Sequence, residues 1–177
     1  TCLKNSYDFE FSEEAKLNAN SYIIEKTGQA FFDNYIFPDY INSKKINDNF
    51  ELHYILTVPS KDYIKEPIVF TTDSNGKVLE KYEIIGIPDC KDNPEDGTFN
   101  ISEKEAEEIA IKSGLVKGIK NWKIDFMWSA EFAKYVWYVL SVKSEMYYED
   151  NYKASGEEMV INPYNGKVIT HRNWDIR

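Results

Sequence analysis

Apolar positions along this chain change period, and the changes mark out its elements. From Ala15 they recur at helical spacing, with Ala15, Ala19, Tyr22, Ile23 and Lys26 on one stripe ending near Gly28 or running on toward Phe32. A second helical stripe holds Ala106, Ile109, Ala110 and Ser113, with Gly114 placed to end it. Ser12 and Ser102 each follow an apolar residue and precede acids, as N-caps do, and Ser102 with Glu105 has capping-box spacing. After each helix the period falls to two. Trp122, Ile124, Phe126 and Trp128 alternate with Lys123, Asp125 and Met127, and strands are expected over 50–58 and 135–142. Each half closes on an expected hairpin. Ile68–Thr72 turns at Asn75-Gly76 into Val78–Ile84, and Glu158–Asn162 turns at Asn165-Gly166 into Val168–Arg172, with type I′ geometry expected at both Asn-Gly pairs.

The order is written twice. Phe11-Ser12-Glu13 returns as Ile101-Ser102-Glu103, and Asn75-Gly76-Lys77-Val78 returns letter for letter from Asn165, both after 90 positions. Between them the Tyr54–Val58 run is echoed by Tyr138–Val142 after 84 positions, and Lys26-Thr27-Gly28 by Lys112-Ser113-Gly114 after 86. Four matches in one order point to a duplication. The expected fold class is therefore α+β, two tandem units, each one helix packed on an antiparallel sheet of three or four strands. The first covers residues 1–87 and the second 100–177; the linker, 88–99, holds Pro94 and Gly97 and is expected to be irregular and exposed.

Composition changes this picture little. A hydrophobic fraction of 42% with 15% aromatics supplies a core and favours strands. The net charge of −9 argues against a nucleic-acid partner, which Lys and Arg would have to hold. No apolar run approaches the roughly 18 residues of a membrane-spanning helix. The chain begins at Thr1, as a processed product would, and its two cysteines are Cys2 and Cys90. Cys2 stands where a lipoprotein's acylated cysteine stands, although Thr is not the usual residue before it. A Cys2–Cys90 disulfide and two inert thiols are the alternatives.

The second half resembles a known family. The helix Ile101–Ala110, the aromatic strand Tyr135-Val136-Trp137-Tyr138-Val139 and the ending Val160–Val168 are similar to those of PepSY-type domains, with a fainter version over 11–83. It departs from the pattern at Asn162 and Pro163, where the family usually carries Asp, and in a longer loop at 146–156. The resemblance implies a cystatin-like unit of one helix cradled by a sheet. It implies an extracytoplasmic place (periplasm, cell surface or secreted) and a non-enzymatic role in binding or restraining a protein such as a protease. Immunity proteins that neutralise secreted toxins share a similar ending and give the alternative; a small-ligand-binding domain is a third reading.

Candidate chemistry is sparse, and neither a catalytic set, a cofactor nor a metal is expected. His53 and His171 fall in different halves with no Cys or second His at ligand spacing. Asp73-x-Asn75-Gly76 lacks the first and twelfth ligands of a calcium loop, and Pro94 removes one from the stretch Asp92–Glu103. For binding, the expected residues are Tyr147, Tyr148 and Tyr152, which alternate with acids in the expected loop, and a second patch at Trp128 and Phe132. The rival account of the tyrosines is that they extend the strand. Phe31, Phe32, Tyr35, Phe37 and Tyr40 are expected in the core or between repeats.

Overall fold

The computed structural model describes residues 11–148 and 151–177, with Tyr148 and Asn151 described in backbone only. Among the described residues it is an α+β protein with three α-helices and two antiparallel sheets, and the chain divides into two compact units, Thr1–Gly97 and Thr98–Arg177.

In the first unit α1 spans Glu13–Thr27. The Ser12 hydroxyl accepts the Ala15 N–H at 3.1 Å, satisfying one of the donors a helix start leaves open. Its buried stripe is Ala15, Ala19, Ile23 and Thr27, so the narrow alanines let the helix lie close on the sheet. Gly28, at φ +82°, ends α1 and begins the short α2, Gln29–Tyr35. Two short strands, β1 (Ile36–Pro38) and β2 (Lys44–Ile46), share one side of β3 (Asn49–Val58). The other side of β3 pairs with β4 (Lys61–Thr72). The even-numbered residues Phe50, Leu52, Tyr54 and Leu56 of β3 are buried with Ile64, Ile68, Phe70 and Thr72 of β4. That is the period of two expected of a half-buried sheet.

In the second unit α3 spans Glu103–Lys112 and carries the full capping box between Ser102 and Glu105. Its end is a Schellman motif. Gly114, at φ +83°, donates to Ile111 O, and Leu115 donates to Ala110 O. The sheet runs β5 (Lys123–Ser129), β6 (Lys134–Tyr148), β7 (Asn151–Ile161) and β8 (Val168–Ile176), each pairing with the next. Its core is an aromatic row. Phe126 stacks on Tyr135 at 5.4 Å and meets Trp137 and Phe99 edge-on at 5.4 and 5.2 Å. The buried Trp137 is held by its Nε1–H, which donates to Ile101 O at 2.8 Å and so ties the sheet to the start of α3.

Four expectations need correction. Neither Asn-Gly pair is a type I′ turn, because Gly76 and Gly166 have positive φ but Asn75 and Asn165 do not. The turns are longer. Asp73 N–H donates to Lys77 O in one, and Asn162 N–H to Lys167 O in the other. The expected strand over 78–84 is reduced to two isolated bridges, Thr72 to Val78 and Val69 to Ile85. Apart from 149 and 150, which lie outside the described residues, the expected loop at 146–156 is paired backbone of β6 and β7, as the rival account of the tyrosines had it, and Tyr147 and Tyr152 face each other across the ladder. Finally, none of the five aromatics from Phe31 to Tyr40 is fully buried, and Phe37 is 47% exposed. The segment 88–99 is irregular apart from a 3-10 turn at Pro94–Gly97, and residues 91–95 are exposed as expected, while its ends are packed: Pro88 is buried and Phe99 is 4% exposed.

Candidate functional site: a projecting tyrosine ribbon

β6 and β7 outrun their neighbours. β5 pairs with β6 only over residues 134–140, and β8 reaches no further along β7 than Ala154. Beyond those limits residues 146–148 pair with 151–153 in a two-stranded ribbon, which by itself is marginal in water. Side chains along it supply extra support. Tyr147 and Tyr152 sit opposite each other with ring centroids 4.9 Å apart. Both hydroxyls donate to Glu145 Oε1, at 3.2 and 2.8 Å, and Lys120 Nζ donates to both Glu145 oxygens at 2.9 Å. The Lys120 ammonium, followed by the Tyr152 hydroxyl, holds the Glu145 carboxyl below the usual carboxylate range. The same hydrogen bond raises the Tyr152 phenol. The result is an exposed aromatic pair held in place by a carboxylate, with Tyr147 75% exposed.

The structure brings Tyr147 and Tyr152 together; the Tyr148 side chain and Cys2 lie outside the described residues. Trp128 and Phe132 are elsewhere. Trp128 lies near the end of β5 and Phe132 within the β5–β6 turn, about 40 Å from Tyr147 at the usual ~3.3 Å rise per strand residue. Trp128 is half-buried and meets Tyr135 edge-on at 5.2 Å, so it is an outer member of the aromatic row. The turn is tied down by Arg172, which donates to both Glu131 oxygens at 3.0 and 2.9 Å and to Glu158 Oε1. Tyr138 donates to the other Glu158 oxygen, and burial, then this hydrogen bond, push its phenol up to about 12. Every ionisable group of this cluster has its partner, which marks it as an anchor for the turn.

Glu145 and Lys120 were not among the expected site residues. Lys120 lies 25 positions from Glu145, and nothing local in the sequence joins them. Glu145 was within reach of the pattern, since it shares a strand face with Tyr147 two positions on.

Other titratable groups are dispersed. His53 contacts Glu51 at 3.0 Å in the first unit, and His171 contacts Glu157 at 2.9 Å in the second. Among the described residues no group of three or more His, Cys, Asp and Glu is placed to hold a metal ion. Among the described residues Cys90 has no disulfide partner, Cys2 lying outside them, and burial, reinforced by Asp96 and Asp89, pushes its thiol up to about 12. No helix among the described residues is long and apolar enough to cross a membrane. No known family model matches the chain, and a search of curated proteins finds no match either.

Proposed function

We propose that this chain is an exported, non-enzymatic binding module that grips a protein partner through the ribbon at the end of β6 and β7. The observation that carries the reading is the Tyr147–Tyr152 pair, exposed yet fixed to Glu145. Tyrosine gives large contact area and loses little rotamer freedom on binding, and here its orientation is already set. The ribbon also stands clear of its neighbouring strands, so it can enter a concave partner such as an enzyme cleft.

In this reading the two units are tandem copies of a PepSY- and cystatin-like unit. Several parallels support it. Edge strand, long central strand, second long strand and a final return pair in the same order in both units, the return being two bridges in the first and β8 in the second. In both, a serine caps the helix, and the closing Asn-Gly turn sits on that helix. Gly76 lies against Ala15 of α1, and Gly166 against Ile109 of α3 and Ile101 just before it. Exported placement rests on the family resemblance and on Cys2. A protease is the partner class that the resemblance implies. The net charge of −9 favours a basic partner, and a basic secreted toxin is therefore the second reading.

Capture tests the proposal. The wild-type chain and a Tyr147→Ala/Tyr152→Ala double variant serve as paired baits on envelope and secreted fractions, read by mass spectrometry. A protein retained by the wild type alone supports the ribbon reading, and an empty or identical pair of captures overturns it.

A further inference from the structure

A second surface lies in the same unit, on different elements. β5 pairs with β6 on one side, and among the described residues no strand pairs with its other edge. The connection from α3 prolongs that edge. Ile119 N–H donates to Val142 O at 2.8 Å, and Gly118 lies so close to β6 that a Cβ there would stand 2.5 Å from Val142 O and 2.7 Å from Ser141 Oγ. Residues 118–129 thus run alongside β6, and among the described residues no strand pairs with their outer side.

Between this edge and α3 is a groove of 760 Å³. Ile111, Leu115, Ile119, Trp122 and Ile124 give it an apolar floor, and Ile111 and Ile119 are 60% and 61% exposed there. Two large aliphatics so exposed in one groove are an unusual expense for a surface that meets only water. Its helix wall presents Glu103 and Glu107, one turn apart and, among the described residues, with no salt bridge to either, and like charges at that spacing repel. Lys117 stands at the loop end, while Lys120 is taken by Glu145.

We infer that this groove binds an extended peptide segment, alternating apolar and basic side chains, that docks as an added strand on the outer edge of β5. The backbone of such a segment completes the open edge, and its apolar side chains cover Ile111 and Ile119. Its Lys or Arg side chains meet Glu103 and Glu107. The charge of the wall selects the occupant: an acidic segment would add to the repulsion, and a purely apolar one would leave both carboxylates unpaired.

The test uses the whole chain and a fluorescein-labelled peptide amide, Lys-Val-Lys-Val-Thr-Val-Thr. Binding is followed by anisotropy and by amide chemical shifts. Saturable binding below roughly 1 mM is expected, with shifts concentrated at Ile111, Leu115 and residues 117–125. A comparison peptide with Glu for Lys is expected not to bind, and methylating alternate peptide nitrogens of one register is expected to abolish binding, as loss of strand pairing requires. Since an acidic protein attracts any basic peptide, two double variants remove equal charge from different places. Glu103→Gln/Glu107→Gln is expected to weaken binding at least about threefold, and Glu80→Gln/Glu83→Gln to leave it unchanged. Equal weakening by both pairs, scattered shifts, indifference to N-methylation or no saturation would each overturn the inference. Circular dichroism of each variant confirms that it is folded.

Discussion

Replacing three glycines by alanine, one at a time, separates two costs that usually arrive together. Gly114, Gly166 and Gly76 have φ of +83°, +73° and +80°, so each alanine incurs the same left-handed strain of about 1–2 kcal/mol, partly offset by about 0.4–1 kcal/mol from a stiffer unfolded chain. Their surroundings differ. At Gly114 nothing lies within 4 Å of the new Cβ, and the net loss should be about 1 kcal/mol. At Gly166 the Cβ meets the Ile109 Cδ1 at 2.8 Å, the free end of a side chain that can turn aside, and the loss should be about 1–2 kcal/mol. At Gly76 it overlaps the Ala15 carbonyl oxygen and stands 2.8 Å from the Ala15 Cα. Helix backbone cannot yield without lifting α1 from its seat, and the Asn18 to Asn75 hydrogen bond of 2.8 Å would go with it. Adding an overpacking cost of about 1–3 kcal/mol brings Gly76→Ala to roughly 3–4 kcal/mol. For a domain of this size each kcal/mol moves Tm by about 4–8 °C. Calorimetry and urea unfolding followed by circular dichroism resolve the series. If Gly76→Ala lies within 1 kcal/mol of Gly114→Ala, the turn does not rest on the helix and the reasoning fails.

Three further outcomes are expected. Tyr147→Ala should cost less than about 1 kcal/mol of stability, since it removes an exposed cross-strand pair, whereas Trp137→Ala should cost about 3–5 kcal/mol; similar losses from both in thermal unfolding would make Tyr147 a core residue. Glu157 is held at about 2, below its usual 4.5, chiefly by Lys143 at 2.5 Å and then by His171. Its folded value lies below the unfolded one, so its contribution is complete above pH 4.5 and disappears as pH falls toward 2. Glu157→Gln should therefore lower stability at pH 7 by about 1 kcal/mol and flatten the acid limb between pH 4.5 and 2; an unchanged limb in acid titration would show that the ion pair is not felt. Ser102→Ala should cost about 1 kcal/mol by breaking the capping box, and a loss below 0.3 kcal/mol in urea unfolding would assign the helix start to packing alone.

Local signals in this sequence carried well where local forces decide. The Ser102–Glu105 box, the glycine after α3 and the alternation of Trp122–Trp128 all appear as written, because capping and pleat act over a few residues. The failures lie where distant parts decide. Asn75 and Asn165 have the letters of a tight hairpin, yet each turn is widened as it settles on a helix some 60 positions earlier, which no turn rule sees. The expected second strand at 78–84 is reduced to bridges at Val78 and Ile85, although the equivalent turn at Asn165-Gly166 leads into the full strand β8. Tyr147 and Tyr152 were legible as a pair of interest, and extension of the strands through them stood as the rival to a loop, which a polar, acid-rich stretch favours. Of the groups that fix them, Glu145 was within reach of the strand pattern, while Lys120, 25 positions away, became visible only in the fold.

Titration calorimetry of the captured partner against the wild type and the Tyr147→Ala/Tyr152→Ala variant tests the central claim most directly. A protein-binding ribbon predicts a Kd at least about 30-fold higher for the variant, the loss of some 2 kcal/mol expected of a binding hot spot, with Tm shifted by less than about 8 °C. An unchanged Kd would place the binding surface elsewhere and contradict the account.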